Sequence, residues 1–158
     1  MAKKSLDKSI SISNRKARYE YELLEVFTSG IQLQGTEIKS LRAGNANIAE
    51  AYCYVHQSEV WITGMYIAEY KYGSYMNHEP KRLRKLLLNK KEINKISSVM
   101  QNVGITLVPL KLYISDKGWA KIEIALAKGK KLYDKREDLK QKDDKRQMDR
   151  ELKKLNNL

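Results

Sequence analysis

Ala127-Lys128-Gly129-Lys130-Lys131-Leu132-Tyr133-Asp134-Lys135-Arg136 is the junction at which this chain changes character. Before it, Lys121 to Ala127 reads KIEIALA, a partly alternating apolar run of β character. After it, Asp134 to Leu158 is dominated by Asp, Glu, Lys and Arg, and Tyr133 is the only aromatic residue beyond Trp119. The layout is that of a folded body carrying a cationic arm with one aromatic at its root. It suits a chain that grips RNA with the body and inserts the arm into a second polyanionic site.

Working outward, the body reads as short strands with two inserted helices. Tyr19, Tyr21 and Leu23 alternate with Glu20 and Glu22, and the phase then shifts to Leu24, Val26 and Phe27. This predicts one strand with a bulge near Leu23-Leu24, ended by Gly30 and followed by a second strand from Ile31. Thr36 caps a short helix through Arg42, with Gly44 as its stop and Ile38 and Leu41 facing the core. Tyr52 to Val55 and Val60 to Ile67 read as paired strands, and Lys71 to Arg82 as a loop.

Leu86-Leu87-Leu88 is a short apolar strand or lead-in. Asn89 with Glu92 three residues on opens a helix whose apolar face is Ile93, Ile96, Val99, Met100 and Val103. Ile105 to Ile114 and Trp119 to Ala127 form strands joined by a turn at Ser115-Asp116-Lys117-Gly118. The fold class is therefore mainly β with inserted helices, a small OB-like antiparallel β-barrel. Residues 1–13, rich in Ser and Lys, read as a flexible leader, 14–128 as the barrel, and 129–158 as the basic tail. In the tail, Met148, Leu152 and Leu155 give only a thin apolar stripe, so it is predicted to be disordered when free and helical when bound.

Composition narrows the partner. The chain has 158 residues, a formal net charge of +12 and a 42% apolar share. That basic excess points to nucleic acid or an anionic surface. No apolar run approaches the roughly 20 residues needed to span a bilayer, and Met1 to Ser5 lacks the apolar region of a signal peptide. The single cysteine, Cys53, cannot form an internal disulfide; it reads as a small buried strand residue in a cytoplasmic protein.

Catalysis has little footing. His56 and His78 lie in separate predicted loops, with no cysteine or carboxylate at metal-ligand spacing, so no metal or cofactor is expected. Glu20 and Glu22 read as a solvated strand face. An RNA-processing enzyme is thus the weakest reading, and a basic structural ribosomal protein or a generic RNA-binding OB module is the stronger alternative. Binding residues are easier to find. Arg15, Lys16 and Arg18 form a basic entry to the first strand beside Tyr19, while Lys81, Arg82, Arg84 and Lys85 form a second basic group below Tyr66, Tyr70, Tyr72 and Tyr75. Such cations bind phosphates, and an exposed ring stacks on an unpaired base. Asn14 is either an RNA contact or a cap ordering the strand start. Leu87 either packs under a base or belongs to the core.

Four stretches share one resemblance: Asn14 to Tyr21 (NRKARYEY), Gly35 to Gly44 (GTEIKSLRAG), Arg84 to Leu88 (RKLLL) and ALAKGKKLYDKR at the junction. In this order and spacing the chain resembles the SmpB family of SsrA-binding proteins. The resemblance implies an OB-like barrel with a flexible tail and binding to the tRNA-like part of transfer-messenger RNA. It also implies entry to stalled ribosomes in company with elongation factor Tu, and trans-translation of the nascent chain. It assigns RNA binding to Asn14 and Leu87. The family's acidic residue after the first-strand Phe is replaced here, since Phe27 is followed by Thr28. Gly129, Lys130, Lys131, Asp134, Lys135 and Arg136 would form the hinge and first turn of a tail that enters the empty mRNA channel, with Tyr133 placed to stack on a decoding-centre base of rRNA.

Overall fold

The computed structural model describes residues 10–73, 75–130 and 132–157, the last stretch in side-chain detail from Lys135 onward. Its described elements are β1 (Ser11–Ser13), α1 (Arg15–Glu20), β2 (Tyr21–Ile31), α2 (Gly35–Arg42), β3 (Ala46–Asn47), β4 (Tyr52–His56), β5 (Glu59–Thr63), β6 (Tyr66–Ile67), β7 (Arg84–Leu87), α3 (Lys90–Met100), β8 (Ile105–Ile114), β9 (Ala120–Gly129) and α4 (Leu132–Asn156).

Seven strands form one antiparallel sheet in the order β1-β8-β4-β5-β7-β2-β9, and β8 pairs with β9 as well. The predicted bulge is present: the β2–β9 register shifts between Leu23 and Glu25. A second shift lies in β8 between Pro109 and Lys111, where a proline without an N–H interrupts the ladder. The far edge of β8 is shared. Its Leu107 meets Cys53 of β4, and its Lys111 to Tyr113 meet Ser13 to Ser11 of β1. Because β4 holds β8 at a single register pair, the architecture is a curled sheet, and the closed barrel expected from the sequence is not established. β3 and β6 make a separate two-stranded sheet.

The core lies inside this curl. Phe27, Leu41, Ile62, Met65, Leu86, Ile96, Leu112, Ile122 and Leu126 are all buried in one cluster, each such side chain contributing about 1.5–3 kcal/mol of transfer free energy. α3 closes one side through Ile96, with Ile93, Val99 and Met100 partly buried around it. Asn89 and Glu92 form its capping box, as the sequence indicated. Val103 falls past the helix end and is fully exposed. The turn at Gly118 takes φ +85°, a conformation that glycine adopts without strain. At α2 the cap is Gln34 rather than Thr36, with Glu37 completing its box.

One boundary changes. Residues 1–9 of the expected leader lie outside the described residues, but Ser11–Ser13 are a strand of the sheet, so the ordered body begins before Asn14. The tail forms a 25-residue helix, α4. The interleaved charges account for this: Asp138 and Lys142, Lys140 and Asp144, and Asp149 and Lys153 all stand four apart, a spacing that supports helices without packing.

Candidate nucleic-acid interface

The basic entry to the first strand is a helix, because Asn14 caps it. The Ala17 N–H donates to Asn14 Oδ1 at 3.1 Å, and Asn14 Nδ2 donates to the carbonyls of Pro109 at 2.9 Å and Ile48 at 3.4 Å. Asn14 is 3% exposed. Of the two sequence readings it takes the capping one, and its amide is committed to the fold. On α1, Ala17 is buried against Val108, Leu110, Ala125 and Ala127, so the small residues of the junction motif form the seat of this helix. Tyr19 and Glu20 close α1, so β2 begins at Tyr21, later than the alternation of Tyr19-Glu20-Tyr21 predicts. With Ala17 inward, Arg15, Lys16 and Arg18 are exposed and Tyr19 is half-buried. Lys16 pairs with Glu50 at 3.2 Å, which raises its pKa.

Strand periodicity divides the second basic group. In β7, Arg84 and Leu86 face the core while Lys85 and Leu87 face outward. Arg84 is fully buried and is therefore no RNA-facing residue, contrary to the sequence reading. Its Nε donates to Glu37 Oε2, its Nη1 to the Met65 and Arg82 carbonyls at 2.8 and 3.0 Å, and its Nη2 to the Pro80 carbonyl at 3.1 Å. Burial pulls this guanidinium below its usual pKa, and Glu37 works against that shift. Arg82 grips Glu37 Oε1 through Nε and Nη2 at 2.9 and 2.6 Å. The buried carboxylate thus ties α2 to the start of β7, with Arg84 wholly withdrawn from solvent to pair with it and Arg82 pairing from a partly exposed position. Lys85 pairs with Glu59 at 2.8 Å.

Leu87 is 53% exposed, not core, and it lies over Gly30 of β2, where an added Cβ would approach Leu87 Cβ to 3.3 Å. On the same strand β2, Leu24, Val26 and Thr28 are exposed. Thr28 stands directly across from Glu123 of β9, so a carboxylate is present at this level of the sheet although it comes from the neighbouring strand.

The root of the tail is held by α1. The Lys130 N–H donates to the Glu20 carbonyl at 2.9 Å, and Lys130 Nζ donates to the Arg18 carbonyl at 3.4 Å and to Asp138 Oδ2. Lys135 Nζ sits 6.0 Å from the Tyr19 ring centroid, within the range of a cation–π contact. Gly129 ends β9 and is exposed, as is Arg136 on α4. Lys131 and the side chains of Tyr133 and Asp134 lie outside the described residues. The structure therefore brings the N-terminal motif and the tail root together and leaves Lys85 and Leu87 on a separate strand, β7. The Glu37–Arg84 pair and the Thr28–Glu123 register were not read from the sequence; the only local signal for the first was the position of Arg84, one place out of step with Lys85 on a period of two. His78, unused by any site, is buried between Thr36 Oγ1 and the Ile67 carbonyl at 2.8 and 2.9 Å. Among the described residues no cluster of His, Cys, Asp or Glu could hold a metal, and no helix is long and apolar enough to cross a membrane.

Fold and surface together define a class: a small antiparallel β protein with a short basic helix on its sheet and a charged helical arm rooted beside it. The family model for the SmpB protein matches residues 11–154. The chain belongs to the SmpB family. It is 56% identical to the SsrA-binding protein of Phocaeicola vulgatus over 89% of this chain and 94% of that one. It is 54% identical to the SsrA-binding protein of Bacteroides thetaiotaomicron over 90% and 95%, and 49% identical to that of Nostoc sp. over 97% and 99%. It is also similar to a chain of a solved structure reported as "tmRNA-SmpB: a journey to the center of the bacterial ribosome", with a TM-score of 0.66 and 44% identity over 77% of this chain and 85% of that chain.

Proposed function

We infer that this protein binds transfer-messenger RNA and acts with it on the ribosome in trans-translation. The observation that carries this reading is the family match, which runs unbroken through both the body and the arm, from residue 11 to residue 154. Close relatives along nearly the whole chain are SsrA-binding proteins, and the likeness to a chain of the tmRNA-SmpB structure supports the ribosome as the place of action.

Within that function, the exposed Arg15, Lys16 and Arg18 on α1 engage phosphates, and Tyr19 offers a ring edge beside them. Lys85 and Leu87 form a second contact on β7. Asn14 and Arg84 act indirectly: one sets α1 and the other anchors β7. Glu123 stands in for the acidic group that Thr28 does not provide. The tail from Gly129 to Arg136, with Lys130, Lys131, Tyr133, Asp134 and Lys135, serves the ribosomal step by entering the vacant mRNA channel, where a cationic helix meets rRNA phosphates. Elongation factor Tu is the partner we propose for delivery, and the cytoplasm the compartment. The role is that of a binding protein and not of an enzyme.

The test compares binding of the full chain to transfer-messenger RNA and to ordinary tRNA across a salt series. Salt weakens phosphate contacts alike, so a preference for transfer-messenger RNA that persists at high salt supports the reading. Equal, steeply salt-sensitive binding to both overturns it. A chain ending at Gly129 is expected to keep RNA affinity and lose nascent-chain tagging in a reconstituted ribosome assay.

A further inference from the structure

The loop between β6 and β7 presents large apolar side chains to solvent above a hydrogen-bonded base. Tyr72 is 77% exposed, Tyr75 94% and Met76 73%. The base is closed by Asn77. Its Oδ1 accepts from the Tyr70 N–H at 3.1 Å, and its Nδ2 donates to the Tyr70 carbonyl at 2.8 Å, reproducing with one side chain the pair of bonds that a strand partner would make. The Gly73 N–H also donates to the Tyr70 carbonyl at 2.9 Å, and a Cβ at Gly73 would approach Asn77 Nδ2 to 2.7 Å, so the base admits no bulkier residue at 73 without rearrangement. His78 then fastens the exit of the loop to α2 through Thr36. Tyr70 is half-buried against this base, and Tyr72 and Tyr75 are left in water.

Two rings of the loop, Tyr70 and Tyr72, have cations beside them. Lys39 Nζ lies 5.3 Å from the Tyr70 ring centroid and Lys71 Nζ 5.7 Å from that of Tyr72, while Tyr70 and Tyr72 meet edge to face at 5.7 Å. The exposed carboxylates of this region, Glu69 and Glu79, fall outside the Tyr70–Asn77 neck in the chain. An exposed aromatic pair with ammonium groups beside it matches a base stacked on a ring with its phosphate on a lysine, a combination that tolerates any base.

We propose that Tyr72, with Tyr70 edge to face beside it, forms a stacking site for unpaired nucleotides, with Lys71 and Lys39 as its phosphate contacts and the exposed Tyr75 of the same loop as a further ring, in addition to the α1 and tail-root surface. The inference rests on RNA being the partner of this chain, and it adds single-stranded RNA as the ligand of a second place on it. An apolar protein partner is the competing occupant; the lysines over the rings and the net charge of +12 favour RNA.

The experiment uses the full chain, a short unstructured RNA carrying 4-thiouridine, and transfer-messenger RNA. Tyr72→Ala/Tyr75→Ala is expected to weaken binding of the short RNA by about tenfold or more, by the same factor at every salt concentration, because no charge is removed. Tyr72→Phe/Tyr75→Phe is expected to retain binding, and Lys71→Ala to flatten the salt dependence. Photocrosslinks should map to Tyr72 or Tyr75. An unchanged affinity for the short RNA, with crosslinks elsewhere, overturns the proposal even if transfer-messenger RNA still binds. If that unchanged affinity is accompanied by a loss of tagging on ribosomes, the loop docks on protein and the proposal is likewise overturned. Failure of the unsubstituted chain to bind transfer-messenger RNA instead counts against the functional reading of the whole protein.

Discussion

Asn14 and Pro109 are 95 positions apart in the chain, yet the amide of one donates to the carbonyl of the other at 2.9 Å. Pro109 marks the place where β8 leaves its regular register with β9, so its carbonyl is available to a side chain. The same amide caps α1. One residue therefore positions the basic helix on the sheet. We expect Asn14→Ala to cost about 2–3 kcal/mol, combining a lost cap with a buried carbonyl left unpaired. Denaturant unfolding measures it. RNA affinity should fall with the loss of α1 and not beyond it, and Asn14→Asp should recover only part of the stability, since a carboxylate can cap Ala17 but cannot donate to Pro109.

Leu86 and Leu87 are neighbours with opposite roles. Leu86 is 1% exposed and Leu87 53%. Leu86→Ala is expected to destabilise the fold by about 2–5 kcal/mol through a core cavity. Leu87→Ala should shift stability by less than about 0.5 kcal/mol while weakening transfer-messenger RNA binding. Equal effects of both on unfolding would show Leu87 to be a packing residue only.

Glu37 and Arg84 form a buried ion pair in which each carries the other's compensation. Arg84→Met leaves a buried carboxylate served by Arg82 alone, and Glu37→Gln leaves a buried guanidinium short of its charge partner. Each single change is expected to cost about 3–5 kcal/mol. The double variant should cost clearly less than the sum, which thermal or denaturant unfolding in a double-mutant cycle reads directly.

Cys53 is buried in β4 and burial pushes its thiol well above the usual range. Raising pH through 8 to 9 ionises an ordinary thiol and speeds alkylation, whereas here the thiolate stays unpopulated in the folded chain. We expect iodoacetamide labelling of native protein at pH 8.5 to be slower than labelling in denaturant by at least about a hundredfold. Rapid native labelling would mean that β4 opens readily.

Much of the architecture was legible from residues within a few positions of one another. The bulge after Leu23, the capping box from Asn89 to Glu92, the turn at Gly118 and the change of character at Gly129 all depend on local geometry, which the sequence carries directly. The family could be read for a related reason: four motifs in order constrain the chain more tightly than any one of them. The site was only partly legible. Arg84 and Lys85 are alike in sequence, and the two faces of β7 separate them into a core ion pair and a surface cation.

By itself, then, the sequence determined most of the strands, the capping box of α3, the basic surplus and the arm, because propensity, periodicity and charge are properties of short segments; it missed α1 and β1, which are set by contacts with β8. Only the tertiary structure decided which polar residues serve the fold. Asn14 depends on Pro109, Arg84 on Glu37 and Lys130 on Glu20, and each of these partners arrives from a distant part of the chain. A polar side chain buried among such partners must be satisfied by them, and that requirement, absent from the residue's own neighbourhood, is what separates a structural arginine from one that is free to meet RNA.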